Sequence, residues 1–201
     1  MNINKDNRQT LRKKNRLNRK NLSITFQQQA STQLVQQLAN HQQLKQAKHI
    51  AIYLANDGEV DPMPFIHWCW QQQIKTYLPV IHPFSSGHLL FLHYHQTSEM
   101  VTNKYGILEP VLAVRDVLPV TQIDVIFTPL VAFDLTGARL GMGGGYYDRT
   151  LAKTPSNELS QSKPYPIGLA HDCQLVDHIP NEDWDIPLPE IVTPTKHYQF
   201  F

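Results

Sequence analysis

The stretch "IDVIFTPLVAFDLTGARLGMGGGYYDR", Ile123 to Arg149, runs from an apolar segment into a glycine cluster and out through two tyrosines and an Asp-Arg pair. Ile123 to Asp134 reads as a buried strand that passes into a loop. Four of the chain's nine glycines then fall within Gly141 to Gly145. Glycine loses more backbone freedom on folding than any other residue, so such a cluster signals either a bare turn or a close backbone approach to a ligand. A helix is expected to start near Gly145, carrying Tyr146, Tyr147 and Leu151. In open α/β sheets ligands bind outside the carboxyl ends of the strands, which is where this loop falls.

Working outward, the same alternation recurs. The basic segment Arg8 to Lys20 has no Gly or Pro and can be helical, and Ser23 reads as the N-cap of a second helix. Phe26, Ala30, Leu34 and Leu38 give that helix an apolar face. "HIAIYLA" (His49 to Ala55) is a strand ended by the turn Asn56-Asp57-Gly58; Asp61 can cap a helix with Pro62 at its first position. "KTYLPV" and "HLLFLHYH" read as strands, residues 96 to 122 as irregular, "YPIGLAHD" as a strand and "DIPLPEIVTP" as a Pro-rich edge. Strands alternating with helices predict an α/β fold. A single three-layer domain over 1-201 is expected, with a mostly parallel central sheet flanked by helices.

Composition agrees. At 201 residues, 41% hydrophobic and 17% charged, the chain looks globular and long enough for a sizeable core. The net charge of +1 hides an asymmetry: Lys5, Arg8, Arg12, Lys13, Lys14, Arg16, Arg19 and Lys20 face one acid, Asp6, within the first twenty residues. Residues 1-22 are thus a basic helical segment suited to phosphates, and the remainder is net acidic. Two cysteines, Cys69 and Cys173, without metal or redox spacing suggest a reduced interior. With no apolar leader and no membrane-length window, a cytoplasmic location without membrane partners is expected.

The glycine loop matches neither common phosphate motif. Gly141 and Gly143 begin a G-x-G-x-x-G, but Tyr146 occupies its third position; a Walker A loop would continue into Lys and Ser or Thr. The mechanism beneath both survives: bare N–H groups at a helix N-terminus form an anion site, and Arg139 adds positive charge. Asp148 would repel a phosphate unless a magnesium ion lay between them.

The run "TPLVAFDLTGARLGMGGGYYDR" (Thr128 to Arg149) resembles the signature of the 5-formyltetrahydrofolate cyclo-ligases, also called methenyltetrahydrofolate synthetases. "RQTLR", "YLANDGEVD", "YLPV", "GILEP" and "DWDIPLPEIVTP" follow the same order, so the resemblance spans nearly the whole chain. It implies an ATP- and Mg²⁺-dependent ligase that converts 5-formyltetrahydrofolate to 5,10-methenyltetrahydrofolate, with ADP and phosphate released after phosphorylation of the formyl oxygen. Carried over by position, Arg8, Gln9, Thr10, Leu11 and Arg12 resemble the family's N-terminal nucleotide contact. Arg139, Leu140, Gly141, Met142, Gly143, Gly144, Gly145, Tyr146 and Tyr147 resemble the loop that wraps ATP, with Met142 to Tyr146 also touching folate. Leu54 and Glu59 match substrate contacts, a carboxylate being suited to the paired N–H groups of an aminopyrimidine edge. Asp148 matches a magnesium ligand, and Asp185 is expected to be the second, with Asp183 as the alternative. Met142 and Gly144 depart from the family's pattern: where some members carry a lysine at the latter, its work here would fall to Arg139, Arg8 or Arg12, or go unfilled.

Other patterns carry less. His88, His93 and His95 lack supporting ligands and read as strand-surface histidines, Trp68 and Trp70 as packing, and Glu109-Pro110 as structural. Two alternatives stay open, a non-catalytic folate-binding protein and a nucleic-acid-binding protein that uses the basic N-terminus. Small-molecule substrates, a monomeric state and no nucleic-acid partner are expected.

Overall fold

The computed structural model describes residues 3–152 and 164–200. Among these residues are twelve strands and four α-helices. The basic segment is helix α1 (Ile3–Lys20), with residues 1 and 2 of the 1-22 segment outside the described residues. Ser23 caps α2 (Ile24–Ala39), its hydroxyl accepting from the N–H of Phe26. β1 (His49–Ala51), α3 (Met63–Gln71), β2 (Lys75–Ile81) and β3 (Leu89–Tyr94) follow. Then come β4 (Met100–Thr102), β5 (Leu108–Pro110), β6 (Val117–Leu118) and β7 (Val125–Pro129). The chain closes with β8 (Ala132–Phe133), β9 (Arg139–Leu140), α4 (Tyr146–Leu151), β10 (Tyr165–Leu169), β11 (Glu190–Val192) and β12 (His197–Gln199).

Eight strands form one sheet in the order β12-β11-β10-β7-β1-β2-β3-β6. The central five, β11 to β2, are all parallel, with β12 antiparallel at one side and β3 and β6 at the other. Alternate side chains feed two cores. On one face Ile50, Val125, Phe127 and Ile167 pack against Leu34 and Leu38 of α2 and Phe65 and Cys69 of α3. On the other, Ile126, Phe91 and Ile191 meet Leu130, Phe133, Leu151 and Leu188. Among the described residues that second face is covered by α4, the stretch after β7 and the segment that leads into β11. The switch-over of strand order leaves the carboxyl ends of β1, β2 and β7 open on one edge, and the glycine loop hangs above them.

Several expectations need correction. The strand read over His49 to Ala55 pairs only as far as Ala51. Residues 96 to 122 are not wholly irregular, since they hold β4, β5 and β6; strands of two or three residues are too short to show a period. The Pro-rich segment is not the edge: β11 is paired on both sides, and β12 takes the outside. Pro187, Pro189 and Pro194 flank β11 without interrupting its ladder. Pro62 is the N-cap of α3 rather than its first residue, and the Asp61 carboxylate accepts from the N–H of Met63. Phe26 does not join the face of Ala30, Leu34 and Leu38; it is exposed beside the His171 ring. No helix among the described residues is long and apolar enough to cross a membrane.

Candidate active site

A cleft of about 610 Å³ opens at the carboxyl ends of the parallel strands. Tyr53, Leu54 and Glu59 enter it from the exit of β1, Leu78, Pro79 and Ile81 from β2, and Pro129 and Leu130 from β7. The hairpin of β4 and β5 supplies a far wall, with Asn103, Tyr105, Ile107 and Glu109. Gly141, Met142, Gly144, Gly145, Tyr146, Tyr147 and Asp148 form the near wall. A largely apolar cleft with a few convergent polar groups has the character of a small-molecule site.

The near wall is set up by β8 and β9, which pair antiparallel and hand the chain to the glycine loop. Gly143 at φ +99° and Gly145 at φ +63° hold conformations that side-chain-bearing residues rarely adopt. Arg149 pins the loop from outside, donating to the carbonyls of Gly87 at 2.7 Å and of Gly144. Across the mouth the hydroxyls of Tyr105 and Tyr146 meet at 3.0 Å, joining the two walls. Helix α4 is only six residues long, and left-handed Gly145 is its N-cap. Its dipole is correspondingly small, so attraction for an anion here falls mainly to arginines.

Three arginines and two aspartates make that charge cluster. Arg139 is 4% exposed and lines the cleft; one terminal nitrogen donates to Asp148 at 2.6 Å, while its buried Nε has no hydrogen-bond partner among the described residues. Burial lowers the pKa of its guanidinium, against the opposing pull of Asp148 and Asp185. Arg12 donates from Nε to the carbonyl of Gly141 at 2.9 Å, tying α1 to the loop. Its pKa is also lowered, first by burial and then by neighbouring Arg8. Arg8 is buried and grips both oxygens of Asp185, while donating to the carbonyl of Pro180 at 2.7 Å.

A magnesium ion needs carboxylate oxygens that are free to turn toward it. Asp148 fits: Arg139 and the N–H of Ile186 both address Oδ1, and Oδ2 has no hydrogen-bond partner among the described residues. Both oxygens of Asp185 are held by Arg8, and the N–H of Glu182 also reaches Oδ2. Asp185 could therefore turn toward an ion only if Arg8 released it. Asp183 is exposed on the same turn.

On the folate-facing side expected from the sequence, Glu59 is a nearly buried carboxylate, its side chain 13% exposed. It accepts from the N–H of Asn56 at 3.0 Å and lies 3.7 Å from Arg19. Burial outweighs the influence of that arginine and pushes its pKa up to about 7. Behind it, Asp57 gathers Arg16 at 2.6 Å, Arg19 at 3.1 Å and Lys20. The hydrogen bond from Arg16 holds its pKa far below the usual carboxylate range. Fully buried Arg19 also donates to the carbonyls of Asp57 and Leu130. His171 closes the rear of this loop, fully buried against the backbone of Gly58 and Glu59, and burial depresses its pKa to about 4.

The structure thus brings together Arg8, Arg12, Arg139, Asp148 and Asp185, with the loop, Leu54 and Glu59 beside them. It does not bring in Gln9 and Thr10, which are exposed on α1; the Thr10 hydroxyl donates to the carbonyl of Asp6. Leu11 packs into the small core under Ala132 and Leu140, and Leu140 itself is fully buried. Sequence reasoning passed over Arg16, Arg19 and Asp57, and the Tyr105–Tyr146 bridge. The spacing of Arg8, Arg12, Arg16 and Arg19 along one helix face was the available signal. Because that face is turned inward, only Lys5, Lys13 and Lys14 among the described cations of α1 stand exposed without ion pairs, a poor footprint for nucleic acid.

Comparison with known proteins adds independent observations. The model of the 5-formyltetrahydrofolate cyclo-ligase family matches residues 4–194. The chain is 48% identical to the 5-formyltetrahydrofolate cyclo-ligase of Escherichia coli (strain K12), over 92% of this chain and 99% of that one. It is 45% identical to the Haemophilus influenzae protein of the same name, over 94% and 99% respectively. The solution structure of Aquifex aeolicus 5,10-methenyltetrahydrofolate synthetase superposes with a TM-score of 0.79 at 30% identity, covering 96% of this chain and 92% of the other.

Proposed function

The chain belongs to the 5-formyltetrahydrofolate cyclo-ligase family, and from that premise we propose that it closes 5-formyltetrahydrofolate to 5,10-methenyltetrahydrofolate with conversion of ATP to ADP and phosphate. The N5-formyl group is a formamide whose oxygen is a poor leaving group. The formyl oxygen attacks the γ-phosphorus and ADP departs, leaving an iminium phosphate. N10 then attacks the formyl carbon, its proton is lost, and phosphate leaves with the original oxygen. The protein's tasks are alignment of the two reactants and neutralisation of phosphate charge.

In this reading Arg139, Arg12 and Arg8 address the polyphosphate, while Gly141 to Gly145 bring backbone N–H groups close to it. Arg139 also does the work of the lysine that Gly144 replaces. Leu54, Glu59 and the loop residues Met142 to Tyr146 hold the folate. Tyr147 and the Tyr105–Tyr146 bridge narrow the mouth of the cleft and limit water. Asp148, with Asp185 once Arg8 turns to phosphate, would hold magnesium, whose charge when bound offsets that of the phosphates. The observation that carries the reading is Arg139: a buried cation on the cleft wall with one N–H unmet and one carboxylate for company.

The test is direct. Chain, ATP, Mg²⁺ and 5-formyltetrahydrofolate should together develop the ultraviolet absorbance of methenyltetrahydrofolate, and omission of ATP should abolish it. Clean folate binding with no absorbance change would leave a folate binder instead.

A further inference from the structure

At the end of the sheet opposite the cleft, three side chains from two distant parts of the chain converge on one point. Glu190 opens β11, His197 opens β12, and His41 begins the 3-10 turn that follows α2. Oε2 of Glu190 lies 2.6 Å from Nε2 of His41 and 2.9 Å from Nε2 of His197, and the two ring nitrogens are 3.4 Å apart. The side chains of His41 and Glu190 are 3% and 7% exposed, and that of His197 is 32% exposed. None of the three lines the cleft.

The geometry points to a binding site for a divalent transition ion, of the Zn²⁺ class, formed by His41, Glu190 and His197. Two imidazoles and one carboxylate are a donor set for zinc, cobalt or nickel, whereas magnesium and calcium prefer all-oxygen shells. A tetrahedral ion with bonds of about 2.1 Å places its ligand atoms roughly 3.4 Å apart. The histidine pair already has that spacing, and the two shorter separations open once the ion replaces their hydrogen bonds. The other oxygen of Glu190 is oriented by the hydroxyl of Tyr165 at 2.7 Å, the outer-shell support that metal-ligating carboxylates receive. The partly exposed edge of His197 leaves a route for the ion and room for a water as fourth ligand. The long 3.3 Å contact from the N–H of Gln43 to Nδ1 of His41 is given up, because a metal on Nε2 moves the ring proton to Nδ1. An ion here would clamp the end of α2 to the outer two strands of the sheet, with no part in the chemistry of the cleft.

The experiment uses the full chain stripped of metal by chelation and titrated with Co²⁺ or Zn²⁺. One Co²⁺ per chain is expected, with the visible bands of a low-coordinate nitrogen and oxygen site, displaced by Zn²⁺; Zn²⁺ should also raise the unfolding temperature. His197→Ala, on a partly exposed edge strand and checked for folding by far-ultraviolet dichroism without metal, should weaken binding at least tenfold and remove the thermal shift. His93→Ala should leave both unchanged. Silence of the unaltered chain to Co²⁺ and Zn²⁺ overturns the site. So does binding that survives His197→Ala or follows His93.

Discussion

Arg139 shows what one residue inherits from its surroundings. Its neighbours in sequence made it a candidate phosphate ligand, and the glycines, tyrosines and Asp148 around it were equally legible because they are contiguous. Its burial was not legible, and neither was its orphaned Nε. A desolvated guanidinium with one carboxylate partner binds an arriving anion more strongly than an exposed arginine would, because little water is left to screen it. Arg139→Met keeps the apolar stem and deletes the charge. Asp148, left without that partner, is exposed enough to find water, so the variant should fold. We expect a fall of about a hundredfold in kcat/KM for ATP, near 2.7 kcal/mol of transition-state stabilisation. Steady-state kinetics on a variant with unchanged dichroism checks this; turnover within threefold of the parent would remove Arg139 from the phosphate site. The partner chosen by Arg8 was hidden for another reason. Asp185 lies 177 positions away, and nothing local favours it over Asp183.

At the scale of elements, α1 is the part whose helicity was plain in the sequence while its purpose was not. Charged residues on a helix usually face solvent, so the basic run read as a phosphate-seeking surface. Instead Arg8 reaches Asp185, and Arg16 and Arg19 reach Asp57 in the turn after β1. That turn was recognised as Asn56-Asp57-Gly58 from its residue types alone; that Asp57 docks a helix 38 to 41 positions earlier is long-range information. The ion pairs fix α1 beside Glu59 and the glycine loop, so helix position and site geometry are coupled. Asp57→Asn should expose the coupling. Fully buried Arg19 would lose its nearest carboxylate, leaving Glu59 at 3.7 Å, and removing one member of a buried pair costs about 3 kcal/mol. The expected outcome is a lower unfolding temperature together with early proteolytic cleavage within or beside α1. Equal protease resistance in parent and variant would show that the helix is held by other contacts.

For the whole molecule, the parallel centre of the sheet followed from strand–helix alternation, whereas its antiparallel flanks did not. Two- and three-residue strands carry no period, and the prolines around β11 suggested an edge although none interrupts its ladder. The same limit applies to charge: a sequence reveals titratable groups but not which ones folding will bury. Two such groups sit back to back here with opposite consequences for stability. Glu59 has its pKa raised from 4.5 to about 7, so between those values the native state holds a proton that the unfolded chain releases; stability falls as pH rises through this window. His171 has its pKa lowered from 6.5 to about 4, so the unfolded chain holds the extra proton and stability falls as pH drops through that window. From about pH 4.5 to 6.5 the two slopes oppose each other, and the unliganded protein should show nearly flat stability. Below this range Glu190, whose pKa is brought down to about 2 against the effect of its burial by bonds from His41, Tyr165 and His197, makes acid increasingly destabilising. Single variants separate the opposing pair. His171→Gln should leave a protein that gains stability as pH falls from 7 to 4.5, by up to about 3 kcal/mol. Glu59→Gln should leave one that loses a similar amount as pH falls from 6.5 to 4. Denaturant titrations at half-unit pH intervals measure both slopes. If the two variants changed with pH in the same direction, the burial assigned to one of these side chains would be wrong.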